Sequence, residues 1–270
     1  MFSRTLSKLT MAAVFSLSAS FMAAQSAHAT IVQFQTVMGD FSVNLYDKTT
    51  PKTVENFLAY VKSGAYSNSI IHRSVPGFIV QGGGYKYEAK PPLVAVTQNA
   101  PVVNEPVYTN RRGTIAMAKL GDQPNSATNQ WFFNLANNSA TLDPQNGGFT
   151  VFGEVTGNGM AILDAMAAVS IFNAGSPFNE LPLRNYTTTD ATNGVAITDK
   201  QLVMILGIVV LDANVDTAAN LTPPKTTYTP NTGGGSGGGS SNSSSGGGGS
   251  MGWASILMLL ALLGLGRSRR

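Results

Sequence analysis

HRSVPGFIVQGGG, from His72 to Gly84, and RGTIAMAKLGDQPNSATNQWFFNL, from Arg112 to Leu135, decide how this chain folds. Short apolar runs lie in and beside them, from Ile70 to Val80, Gly113 to Ala118 and Trp131 to Leu135, and each is bounded by Gly, Pro, Asn or Asp. Runs this short between turn residues read as strands. Two more follow, from Phe149 to Val155 and from Leu202 to Leu211. Upstream, Val32 and Phe34 precede Gly39-Asp40, and Phe41, Val43 and Leu45 follow it, an alternation that predicts a hairpin. Thr50-Pro51 supplies an N-cap and an N1 proline ahead of Val54, Phe57, Leu58 and Val61, the spacing of an amphipathic helix that stops at Gly64. A second, short helix is predicted from Met160 to Ala168, with Met160, Leu163 and Met166 on one side. The stretch from Phe172 to Lys200, rich in Pro, Asn and Thr, reads as a surface loop. The fold class is mainly β, a barrel or sandwich with two helices and no internal repeat.

Both ends are foreign to this middle. Arg4 and Lys8 start a segment that is mostly apolar from Met11 to Ala24 and closes on Ala27-His28-Ala29, the form of a secretory signal with the mature chain beginning at Thr30. A retained membrane anchor is the competing reading. After the domain, from 30 to 212, the 213–250 stretch turns to Pro and Thr and then to Gly and Ser, a composition that cannot bury enough apolar area to offset its ordering entropy and reads as a flexible linker. Residues 251–270 form an apolar stretch with a basic end, Arg267, Arg269 and Arg270, at the short limit for spanning a bilayer. Basic residues tend to stay cytoplasmic, so this end also places the domain outside. The expected location is exported, periplasmic or at the cell surface, with signal peptidase as a processing partner.

Charge and composition exclude several functions. Five of the 17 basic residues lie in the two end segments, which leaves 12 against 14 acidic residues, so the middle is near −2 and offers nucleic acid no electrostatic motive. With no cysteine, neither a disulfide framework nor thiol chemistry is available. Once His28 is removed, His72 is the only histidine, too few for an ordinary zinc site. Gly82 to Gly84 lacks the Lys-Ser/Thr of a phosphate-cradling loop, and no Gly-x-Ser-x-Gly elbow accompanies His72.

The two quoted stretches resemble the signatures of the cyclophilin family of peptidyl-prolyl cis-trans isomerases, or rotamases: His, Arg, Pro, Gly, Phe and Gln in fixed order, then Gly-Thr-x-x-Met-Ala and Gln-x-Phe. The likeness runs from about Ile31 to Leu211. It implies a closed eight-stranded antiparallel β-barrel capped by two α-helices, with the active site on the outside. Position by position it implies Arg73 as the catalytic arginine with Gln81 as its partner, and a proline-ring pocket of Phe78, Ile79, Phe132 and Leu142. Gln130 and the backbone at Ala118 and Lys119 line the peptide groove, Phe149 stands where a groove histidine is common, and His72 is a positioned groove residue. Thr141 replaces a frequent pocket tryptophan, which implies weak inhibition by cyclosporin. No cofactor or metal is implied, the partners are proline-containing polypeptide clients, and the protein is expected to be a monomer. The glycine-rich stretch, apolar segment and basic terminus likewise resemble a GlyGly-CTERM sorting tail, which implies a rhombosortase-type protease as a further partner, with a plain membrane anchor as the alternative.

These residue types suit the chemistry. Amide resonance raises a barrier of about 18–20 kcal/mol to rotation, and X-Pro bonds isomerise unaided in tens to hundreds of seconds. In the twisted state the proline nitrogen gains a lone pair, so a guanidinium beside it stabilises the transition state more than the planar ground state. A binding module or holdase that captures proline segments without turnover is the alternative function. An Arg73 placed away from Phe78 and Phe132, or buried in an internal ion pair, would overturn the enzymatic reading.

Overall fold

A computed structural model describes residues 30–213, residue 218 and residues 221–228. The signal-like segment 1–29 and the apolar segment 251–270 lie outside the described residues. In chain order the elements are β1 (Ile31–Thr36), β2 (Phe41–Leu45), α1 (Pro51–Lys62), β3 (Ser69–Ile70), β4 (Arg73–Val75), β5 (Ile79–Gly82), β6 (Tyr85–Lys86), β7 (Val94–Ala95), β8 (Thr114–Met117), β9 (Trp131–Asn134), α2 (Ser139–Leu142), β10 (Val151–Val155), α3 (Gly159–Ala167), β11 (Ile171–Phe172), β12 (Leu181–Pro182), α4 (Thr188–Thr192) and β13 (Met204–Asp212). One eleven-stranded sheet runs β4-β5-β9-β8-β10-β2-β1-β13-β3-β6-β7, antiparallel at every pairing, and curls so that β3 and β4, two residues apart in sequence, lie far apart in its order. The protein is mainly β, and the single apolar run from Ile70 to Val80 is three short strands rather than one.

Period-two alternation divides the sheet into two faces. Trp131, Phe133, Val80, Ile115, Met117 and Phe152 point into the principal core with Val32, Phe34, Phe41 and Val43. Alpha-helix α1 adds Val54, Phe57 and Val61 to it, and α3 adds Leu163 and Met166. Phe34 sits at the centre, its ring 5.0 Å from Phe41, 5.2 Å from Trp131 and 5.3 Å from Phe133. Between them, on the opposite face, Ile79, Ala116, Phe132 and Val151 join Tyr46, Leu142 and Phe149 in a second cluster.

The start of α1 differs in detail from the sequence expectation. Pro51 occupies the first turn, but Thr50 makes no side-chain cap; it is buried, and both its N–H and its hydroxyl donate to the Tyr46 carbonyl. The free N–H of Thr53 donates instead to the Glu105 carboxylate at 2.9 Å, an anion well placed at a helix N-terminus. The glycine run at 82–84 has a packing origin: a Cβ on Gly82 would meet Trp131 at 2.6 Å, and one on Gly83, whose φ is +81, would meet the Asn129 carbonyl at 2.5 Å.

The expectation of a surface loop from Phe172 to Lys200 is corrected. β11 pairs with β12, Thr187 and Asp190 form a reciprocal capping box on α4, and Leu181, Leu183 and Tyr186 are buried in a third cluster with Ile70, Tyr87, Leu202 and Met204. Its polar composition hid three apolar anchors. Among the described residues no helix is long and apolar enough to cross a membrane.

Candidate active site

Strand register assembles the site. Arg73 on β4 lies opposite Gln81 on β5, Gln81 opposite Phe132 on β9, Phe132 opposite Ala116 on β8, and Ala116 opposite Val151 on β10. Directly opposed residues project from the same face. Five neighbouring strands thus place one cation, one amide and three apolar side chains in a single row on the outside of the sheet.

The polar end of that row is a chain of hydrogen bonds. Arg73 Nε donates to Glu180 Oε2 at 2.6 Å, Arg73 Nη1 lies 3.4 Å from Gln81 Oε1, and Gln81 Nε2 donates to Gln130 Oε1 at 2.8 Å. The 3.4 Å contact is at the long limit for such a bond. Arg73 Nη2 is buried and has no hydrogen-bond partner. The pair is half-enclosed: the Arg73 side chain is 11% exposed and that of Glu180 36%, the carboxylate engages Nε, and Nη2 keeps an unspent donor. Glu180 was not legible in the sequence, because it reaches Arg73 across 107 residues.

The apolar end is built by Phe132, Ile79, Leu142 and Phe149, each 1% exposed, with half-buried Phe78 and Val75 packed against them. Phe149 meets Phe132 edge-on at 5.7 Å. Buried amides hold the frame: Asn138 Nδ2 donates to the Phe78 carbonyl and to Asn134 Oδ1, while the Asp143 carboxylate, next to Leu142, accepts from Asn110 N, Asn110 Nδ2 and Thr109 Oγ1. Ala118 N–H donates to the Gln130 carbonyl at the edge of the same row.

Two expected groove residues sit differently. Lys119 is only 6% exposed; its ammonium donates to the carbonyls of Asn146, at 2.8 Å, and Gly148, and lies 4.8 Å from the Phe149 ring centroid. Its side chain, not only its backbone, props the turn beside the pocket, and burial pulls its pKa down to about 8. His72 is buried behind Arg73 and beside Gln130. It is 2% exposed and packs edge-on against Tyr85, which packs against Phe178. Burial lowers its pKa to about 4, a shift that the Gln130 side chain and the Ile70 backbone only partly offset and Arg73 deepens. It is a neutral imidazole at pH 7. Among the described residues, no group of three or more His, Cys, Asp or Glu side chains could hold a metal ion.

Residues 31–188 match the family model for cyclophilin type peptidyl-prolyl cis-trans isomerase/CLD. The chain belongs to the cyclophilin family. A peptidyl-prolyl cis-trans isomerase of Acinetobacter baylyi is 39% identical over 150 residues, covering 53% of this chain and 77% of the relative. Peptidyl-prolyl cis-trans isomerase A of Dickeya dadantii is 39% identical over 178 residues, covering 64% of this chain and 88% of the relative. A crystal structure of a cyclophilin-type isomerase from Cryptosporidium parvum aligns with a TM-score of 0.49 at 23% identity, covering 68% of this chain and 98% of that one. The activity of this cyclophilin domain is peptidyl-prolyl cis-trans isomerisation.

Proposed function

We propose that Arg73 carries that activity, that Ile79, Phe132, Leu142 and Phe78 seat the proline ring, and that the clients are exported polypeptides. The observation that carries the reading is the row Arg73–Gln81–Phe132, a cation with an unspent N–H beside an apolar cup. The cup holds a pyrrolidine ring without offering a polar competitor, and the preceding carbonyl swings while the ring stays put. As the amide twists, its nitrogen turns basic and accepts from the guanidinium, so the bond is strongest where the barrier is highest. Gln81 spaces the guanidinium from Gln130 through its two amide ends. Nothing in this sequence of events transfers a proton permanently, which suits a neutral His72. The test is a protease-coupled assay on an Ala-Pro-Phe type peptide: Arg73→Ala should lose roughly 100- to 1,000-fold in kcat, the scale of removing one transition-state donor, while still binding the peptide. An inactive wild type that binds the peptide would leave a capture module or holdase.

The finer fold reading is a closed eight-stranded barrel. Ile71 N–H donates to the Val203 carbonyl and His72 N–H to the Gln81 carbonyl, so the 69–75 segment, counted as one bent strand, bridges β13 and β5 and supports closure. Export rests on the basic start and the Ala27-His28-Ala29 site, and membrane contact before processing on the apolar segment at 251–270, read as a sorting tail or an anchor. Intact-mass measurement of the exported protein tests both, since cleavage after Ala29 and near Ser250 removes two distinct masses.

A further inference from the structure

A cup that takes a ring from another polypeptide must be open, yet Ile79, Phe132, Leu142 and Phe149 are each 1% exposed. Half-buried Ala218 and Leu221, from beyond the domain's last strand, pack against that cluster, and Leu221 N–H closes a turn onto the Ala218 carbonyl. The chain then runs antiparallel to residues 107–109. Tyr108 and Lys225 form an antiparallel bridge, Thr109 N–H donates to the Pro224 carbonyl at 3.1 Å, and Thr226 N–H donates to the Val107 carbonyl at 3.0 Å. Tyr108 belongs to the same apolar cluster, its ring 4.8 Å from that of Tyr46. Part of the stretch read as a flexible linker is thus seated on the site.

We propose that the 107–109 segment and the Phe132 cup form one docking edge for an extended peptide, and that the chain's own Ala218 and 221–226 stretch is its resident occupant, in competition with client polypeptides. The edge works as strand addition does: main-chain bonds supply affinity, and side chains entering a pocket supply selectivity. Ala218 and Leu221 meet the cluster with their side chains, and Pro224 contributes a carbonyl to Thr109, so pocket filling and main-chain pairing both come from this stretch. Only residues 213–217 separate the end of β13 from Ala218 in sequence, and a tether this short gives an effective concentration of about millimolar, enough for a weak intrinsic contact to hold the site. The consequence for turnover rests on the isomerase reading of the cup; the docking edge itself does not.

The test uses the full chain carrying Leu221→Asp, which sets a carboxylate against the apolar cluster. Expected is a fall of roughly three- to tenfold in KM for a proline test peptide with kcat unchanged, because a tethered competitor at about millimolar has been removed. A synthetic peptide of residues 214–228 added to this variant should raise KM again and shift the backbone amide resonances of Val107 and Thr109. An unchanged KM in Leu221→Asp overturns the proposal, whatever the added peptide does. If neither protein turns over, the resonances decide: shifts on adding the peptide uphold the docking edge while the isomerase reading fails, and unmoved resonances overturn the edge as well.

Discussion

The Arg73 guanidinium is held through its Nε by Glu180 Oε2 at 2.6 Å, so the cation of the strand row is aimed by a residue of the segment carrying β11 and β12. Strand β4 is locked to the same segment by the bond from Ser74 N–H to the Glu180 carbonyl at 2.9 Å. Main chain and side chain of one residue therefore fix both the strand and its arginine. At 36% exposure the carboxylate contributes little to stability, since such pairs are screened by water. Its value is orientation. Glu180→Ala should lower kcat by roughly tenfold with KM nearly unchanged, the cost of a donor free to rotate away, and Glu180→Gln should keep most of the rate because an acceptor remains. Equal kcat in Glu180→Ala and wild type would remove the positioning role.

Two glycines of the first quoted stretch separate close packing from backbone strain. Gly77 has φ +73 and nothing within 4 Å of an added Cβ, so Gly77→Ala should cost only the left-handed penalty, about 1–2 kcal/mol. Gly83 combines φ +81 with a Cβ 2.5 Å from the Asn129 carbonyl and 2.7 Å from Trp131 Nε1. Gly83→Ala must shift β9 or unfold it, and should cost several times more in urea denaturation. Equal losses at the two positions would show that the Asn129 carbonyl and Trp131 both move aside at little cost.

Much of this was legible because it is local. The hairpin over Gly39-Asp40, the helix after Pro51 and the strands around Phe132 follow from period and turn residues, and the observed β1, β2, α1, β8, β9 and β10 lie where the pattern sets them. Arg73, Gln81 and Phe132 were legible through the family motif, and strand register brings them into one row. What escaped depends on contacts between distant segments. Glu180 sits in a polar stretch whose anchors, Leu181 and Leu183, are too sparse to show a period. The Lys119 ammonium finds two carbonyls that only a folded turn creates, and Leu221 lies in a composition that by itself reads as linker.

Lys119 gives the site a pH-dependent prop. Its carbonyl partners and the Phe149 face favour the ammonium, but burial outweighs them and lowers the pKa from 10.5 to about 8. Between about pH 8 and pH 10.5 the unfolded chain binds the extra proton, so this residue's contribution rises with pH through that window, by at most about 1.4 kcal/mol per unit, and is lost as pH falls back to 8. Lys119→Met should flatten this slope in denaturation curves taken at pH 7.5, 8.5 and 9.5. In the wild type, loss of the ammonium's charge should also loosen the turn at 145–148, read as broadening of the Gly148 amide on the high side of pH 8. A variant slope equal to that of wild type would assign the pH response elsewhere.

His72 supplies the acid-side counterpart. Burial beside Arg73 holds the folded-state pKa at about 4 against 6.5 in the unfolded chain. In that interval the unfolded state takes up a proton that the folded state refuses, so stability is fully present above 6.5 and drains away as pH falls towards 4, by up to about 1.4 kcal/mol per unit. Urea midpoints should drop between pH 6.5 and 4.5 in wild type and stay level in His72→Phe, where an aromatic ring keeps the edge contact with Tyr85. Turnover behaves differently: with the imidazole neutral over this range, kcat/KM should show no inflection between pH 5.5 and 7.5 in either protein while both remain folded. An ionisation near 6.5 in the wild-type rate profile, absent from His72→Phe, would return His72 to the reaction itself.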